Sequence, residues 1–281
     1  MFGEENEQAD SMAQSKSFIQ SVEFLIETIG EKDAENDLNV NEQLNSLEQF
    51  EFQRNEFDEN DLKSSFFKCL DLLAKKEIES FWICDGKLSE FQLNTCRIIT
   101  NTILRIGSNI VNDLMFDRLD LESMKYEHLF FAMVKRLGYE LKYRENQEQI
   151  ELILLFFANL THRIVCVPWL LRLNLTEFLL ENLNKTDLTE TELKSFIKIL
   201  YNISRHEDGA DELNEFNGLN ILSDFHLNQL DESSTLFLSM SIALLSTSGE
   251  IQMKSERIDK ILDHLLQIII ETSKVMNLYS D

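Results

Sequence analysis

The chain has 281 residues, is 43% hydrophobic and 27% charged, and carries a formal net charge of −24. That apolar content supplies a sizeable core, whereas eight glycines and a single proline are too few turn residues for a fold of many tight hairpins. The negative charge opposes bare nucleic acid and anionic membrane surfaces before any contact forms, so neither is expected as a direct partner.

The acidity is uneven. Through residue 61 there are 17 acidic residues against Lys16, Lys32 and Arg54, a net of −14, so residues 1–61 read as an acidic, mostly flexible N-terminal extension. Its opening, "MFGEENEQADSMAQSK", lacks the apolar run of a signal peptide and is acidic where a transit peptide would be basic. A soluble cytoplasmic or nuclear protein is expected. Cys69, Cys84, Cys96 and Cys166 form no CxxC pair, which fits reduced thiols.

Within that extension, Phe18, Val22, Leu25 and Ile29 share one helical face, predicting a short helix over 17–29. Residues 30–61 are dominated by charge, with a helical turn around Leu44, Leu47 and Phe50. Organised helix begins near Asp61 and Leu62, where Leu62, Phe66, Leu70 and Leu73 recur at helical spacing. The run "LSEFQLNTCRIITNTILRIGSN" predicts a helix stopping at Gly107–Ser108, and "LESMKYEHLFFAMVKRLGYEL" one stopping near Gly138. Towards the end, Ile258, Ile261, Leu262, Leu265, Ile268 and Ile269 make an amphipathic stripe.

The central stretch repeats. "LLFFANLTHR" from residue 154 has a counterpart 43 residues later in "IKILYNISRH". That shift places Phe157 on Leu200, Asn159 on Asn202, Leu160 on Ile203, Thr161 on Ser204, Leu170 on Leu213, Asn174 on Asn217 and Leu179 on Leu222. Any two helices share a period, but phase kept across two polar breaks marks a duplicated unit. "TILRIGSN" reads as an earlier copy with Arg105 standing 54 residues before Asn159, and "FLSMSIALLSTSGE" as a later one of unfixed register.

A long apolar helix ending Asn-aliphatic-small, a polar joint, and then Gly218–Leu219 before the next apolar stretch resembles the armadillo repeat family. Leu175 stands where the first unit's glycine would be, so the match there is incomplete. The resemblance implies an all-α fold, a right-handed α-solenoid of armadillo-like repeats over 62–281, in four to five imperfect units. A HEAT-like or irregular helical solenoid is the alternative, and a compact helical bundle comes third. It also implies a concave groove lined by third helices, with Asn159 and Asn202 facing a bound peptide; the same side chains could instead cap or bridge the turn between repeats. Helical spacing adds Arg163, Lys194, Lys198 and Arg205 as groove candidates, a basic set suited to an acidic peptide. Armadillo import receptors place Trp four residues before the Asn; here Leu155 and Lys198 stand there, so basic import signals are not expected as ligands.

No phosphate loop, nucleotide fingerprint, HExxH, GxSxG or metal-spaced cysteine set occurs, so no enzyme, cofactor or metal is expected. The sequence predicts a non-catalytic scaffold or adaptor that captures a peptide or helix of a protein partner. The alternative is an acidic escort for basic proteins such as histones or ribosomal proteins. Exposed solenoid ends would favour a homodimer.

Overall fold

In a computed structural model of the chain, the described residues are 17–29, 31, 34, 37–49, 60–82, 87–111, 127–185, 187–224 and 230–247, with 263, 266 and 270. Among them every regular element is helical. The C-terminal stripe from Ile258 to Ile269 and residues 50–59 lie outside the described residues. Backbone contacts divide the chain into two units, residues 1–149 and 150–281.

In the first unit α1 spans 17–28, followed by α2 (Leu38–Gln49), α3 (Asn60–Phe81), α4 (Glu90–Val111) and α5 (Glu127–Tyr143). Phe18, Val22, Leu25 and Ile29 are buried as their spacing predicts. In α2 the helix extends well past the single turn expected there, because Val40, Leu44 and Leu47 at i, i+4 and i+7 all find cover, and α2 packs on α4. Glycine proves a weak stop: α4 runs through Gly107–Ser108 to Val111, and α5 runs through Gly138 to Tyr143. An interior glycine costs only about 1 kcal/mol, which the burial of Leu137, Tyr139 and Leu141 more than offsets. What ends α5 is Arg144, with φ 55° and its N–H donated to the Glu140 carbonyl at 2.7 Å.

In this unit α3 packs more extensively on α5 than on its sequence neighbour α4. Asp71 of α3 meets His128 and the Leu129 N–H near the start of α5, and eleven residues on Trp82 meets Tyr139, so α3 and α5 run the same way. A parallel pair needs a crossover, which α4 supplies. On α4, Arg105 donates to the Leu47 and Glu48 carbonyls at 2.8 and 2.7 Å, satisfying acceptors that the last turn of α2 leaves open.

The second unit contains most of α6 (Gln147–His162), then α7 (Val167–Leu171), α8 (Leu175–Lys185), α9 (Glu190–Ser204), α10 (Glu207–Glu215), α11 (Gly218–Ser223) and α12 (Glu232–Thr247). Three of these share one pattern. Asn146, Thr189 and Asp231 are their N-caps, each accepting the N–H three residues on, from Gln149, Glu192 and Ser234, and those three residues are all buried. The intervals of 43 and 42 residues also superpose the burial: Phe157, Leu200 and Ile242 coincide, as do Leu160, Ile203 and Leu245. The joint repeats as well, since Asn174 and Asn217 are both left-handed, with φ 55° and 63°, immediately before α8 and α11. Gly218 belongs to that joint: a Cβ there would lie 2.6 Å from the Leu213 carbonyl oxygen.

α9 and α12 are parallel too. Lys194 reaches Asp231, and seven residues further Tyr201 stacks on Phe237, six residues beyond Asp231. α10 and α11 connect them, α10 packing on both α9 and α12 and α11 on α12.

Candidate partner-binding face

α9 is specified strongly by its own sequence. Thr189 and Glu192 make a reciprocal capping box, and Phe196, Ile197, Ile199, Leu200 and Ile203 are sealed into the core. The remaining positions, Lys194, Lys198, Tyr201 and Arg205, follow one another along the outer side of the helix.

Of the two repeated asparagines, Asn202 has surroundings different from those of a peptide anchor. Asn202 is 3% exposed, and its amide donates to the Ala158 carbonyl at 3.0 Å and to the Thr161 hydroxyl at 3.2 Å, both near the end of α6. Both amide hydrogens are therefore committed within the fold, and the groove-facing role implied for Asn202 gives way to that of a bridge between successive helices. Asn159 is half-buried in α6, and Arg163 is half-buried at the joint where a 3-10 turn (Ile164–Cys166) begins.

Lys194 is also engaged. Its ammonium lies 2.8 Å from Glu190 and 3.2 Å from Asp231, and the hydrogen bond it donates to Glu190, followed by that to Asp231, holds its pKa above the ordinary lysine value. Asp231 in turn is held down at about 2, chiefly by hydrogen bonds from Ser234 and then by the lysine. Lys194 thus ties α9 to the cap of α12. Lys198, one turn on, makes no ion pair or hydrogen bond among the described residues. Arg205 is exposed, with its guanidinium 5.8 Å from the Tyr201 ring centre; that ring stacks on Phe237 at 5.0 Å and 25°.

Apolar side chains complete this face. Leu155 of α6 is 51% exposed, and Leu236 and Met240 of α12 are 45% and 40% exposed. The charge around them is distinctive: residues 195–205 and 233–247 contain only two charged side chains, Lys198 and Arg205, both positive, in a chain of net charge −24. Tyr201, Phe237, Leu236 and Met240 were not singled out by sequence. The pairing Thr189–Glu192 with Asp231–Ser234 was the signal that could have set α12 in register and found them.

A second polar assembly lies in the first unit and was likewise not anticipated. Glu77, Cys96, Arg136, Glu140 and Gln149 are each at most 2% exposed. Arg136 donates to Gln149 at 2.9 Å and pairs with Glu140 at 2.6 Å, while Glu77 accepts the Trp82 indole N–H at 2.8 Å. Burial pushes the Glu77 carboxyl pKa up, against the pull of Trp82, Cys96 and Arg136, and pushes the Cys96 thiol well up. The groups are closed off from solvent and cross-link α3, α4 and α5, so their chemistry is that of a polar core. Among the described residues no cluster could hold a metal ion, and no single helix is long and apolar enough to cross a membrane. The sequence matches no protein-family model and no curated protein.

Proposed function

We propose that the chain is a non-catalytic interaction adaptor whose repeats form an armadillo-like solenoid, and that it captures a segment of a protein partner on the face shared by α9 and α12. The observation that carries this is the patch itself: a lysine, Lys198, with no ion pair or hydrogen bond among the described residues, an arginine laid on an aromatic pair, and exposed Leu236 and Met240, with no acidic side chain in residues 195–205 or 233–247. Such a surface is costly to leave in water and of opposite sign to the rest of the chain. Parallel stacking of α9 on α12 supports the solenoid, because crossover-linked parallel helices are what repeated modules produce.

Co-purification from cell extract tests it. The full chain is compared with a Lys198→Glu/Arg205→Glu variant and with a control carrying Asp211→Lys on exposed α10. A partner retained by the control and lost by the double variant is expected; a partner set indifferent to both charge reversals would count against recognition at this face.

A further inference from the structure

The 43-residue shift also sets α7 on α10, and there the two copies of the module agree inside and differ outside. Cys166 falls on Gly209, Val167 on Ala210 and Leu170 on Leu213, and all six are buried. Ile164 and Val165, 49% and 57% exposed where the chain turns by 106° between α6 and α7, fall on the exposed acids Glu207 and Asp208. The second copy shows that the module has no structural need of aliphatic side chains at this corner. At the other end of α7 stands exposed Arg172, and α10 ends at Phe216, which is 36% exposed. α7 therefore runs from an apolar start to a basic end, and α10 from an acidic start to an apolar end.

We infer that this pair of helices is a docking surface for a second copy of the chain, with α7 of each copy lying antiparallel on α10 of the other. Within one chain α7 and α10 pack on each other, and the same place in successive modules gives them the same direction. A two-fold axis between them reverses one copy over the other and makes every contact twice. Ile164 and Val165 then cover Phe216 of the second copy, and Arg172 meets its Glu207 and Asp208. The lengths agree: Arg172 is eight residues from Ile164 and Phe216 nine from Glu207, about 12 and 14 Å along a helix. Parallel docking would instead bury Glu207 and Asp208 against the aliphatic pair. Charge selects the occupant as well, because an anionic membrane, the other phase that takes up an exposed aliphatic corner, is repelled by the acids of neighbouring α10. The net −24 of each copy opposes association weakly, since exposed charges more than about 8 Å apart are largely screened at physiological ionic strength. The contact goes beyond the adaptor reading and does not rest on it.

Sedimentation equilibrium of the full chain over a wide concentration range tests it, and a monomer–dimer equilibrium is expected. Arg172→Glu alone, and Glu207→Lys/Asp208→Lys alone, each weaken self-association about tenfold or more, because both repeated contacts then oppose like charges. An equimolar mixture of these two variants regains the dimer, since opposite charges meet in both contacts. Ile164→Asp/Val165→Asp weakens the dimer about tenfold or more by removing its apolar part. All the substituted side chains are exposed, and association restored on mixing shows that the variants are folded. A chain that stays monomeric, a dimer that ignores these substitutions, or a mixture that fails to regain it overturns the inference. A cross-link formed from α10 within such a dimer has twice the mass of the chain, which separates it from a link to another protein.

Discussion

Replacing Asn202 by alanine separates the two roles that its sequence position allows. The side chain is 3% exposed and makes two hydrogen bonds to α6, at 3.0 and 3.2 Å. Each is worth about 1 kcal/mol net, and the unfilled space left by the amide adds about 1 kcal/mol more. Thr161 limits the loss, since its hydroxyl still donates to the Phe157 carbonyl at 2.8 Å. A destabilisation of about 2–3 kcal/mol follows, a sizeable part of the roughly 5–15 kcal/mol that holds a domain together. Guanidinium unfolding followed by circular dichroism measures it, fitted for the transition that includes residues 150–247, because a chain of two units need not unfold in one step. Lys198→Ala on the same helix should change stability by no more than about 0.5 kcal/mol. If Asn202→Ala were as stable as the unsubstituted chain yet failed to bind a partner, the bridging role would be wrong and the ligand-facing role of the armadillo resemblance would be restored.

Three further outcomes are expected. Gly218→Ala should destabilise by about 1–3 kcal/mol in a thermal melt, because its Cβ would press on the Leu213 carbonyl at 2.6 Å. Glu77 has a folded pKa raised by burial, so its contribution to stability is full below the unfolded carboxyl pKa and is lost as pH rises through the folded value; Glu77→Gln should therefore gain relative to the unsubstituted chain between pH 4 and pH 8 in urea titrations, and an equal offset at both pH values would refute the buried-acid account. Asp231 has the opposite sign: its pKa is lowered from 3.8 to about 2, so its contribution is present above pH 4 and fades as pH falls towards 2, a slope that Asp231→Asn should flatten in the same titration.

The repeated module was visible in the sequence because its polar punctuation kept phase. Asn159 with Asn202 and Asn174 with Asn217 survive a single 43-residue shift, and the structure gives the second pair a shared left-handed backbone. The third copy was harder to place because α12, "ESSTLFLSMSIALLST", mixes small hydroxyl and apolar residues on all sides. Its serines at 234, 239 and 241 are buried, so no apolar stripe marks its register. The fate of the site residues was hidden for a different reason. A buried bridge and a ligand anchor call for the same asparagine, and only the distances to Ala158 and Thr161 distinguish them. Likewise Lys194 looks free in the sequence because its second partner, Asp231, is 37 residues away. Gly138 misled because its helix cost is small beside the packing of Leu137, Tyr139 and Leu141 around it.

The central claim, that partners are held on the α9–α12 face, is tested most directly by a photo-crosslinking amino acid placed at Leu236 and, separately, at Asp211. Both positions are exposed, on α12 and α10 respectively. The account predicts a defined adduct from position 236, abolished by Lys198→Glu/Arg205→Glu, and none from position 211. Equal adducts from both positions, or an adduct from position 211 alone, would contradict it.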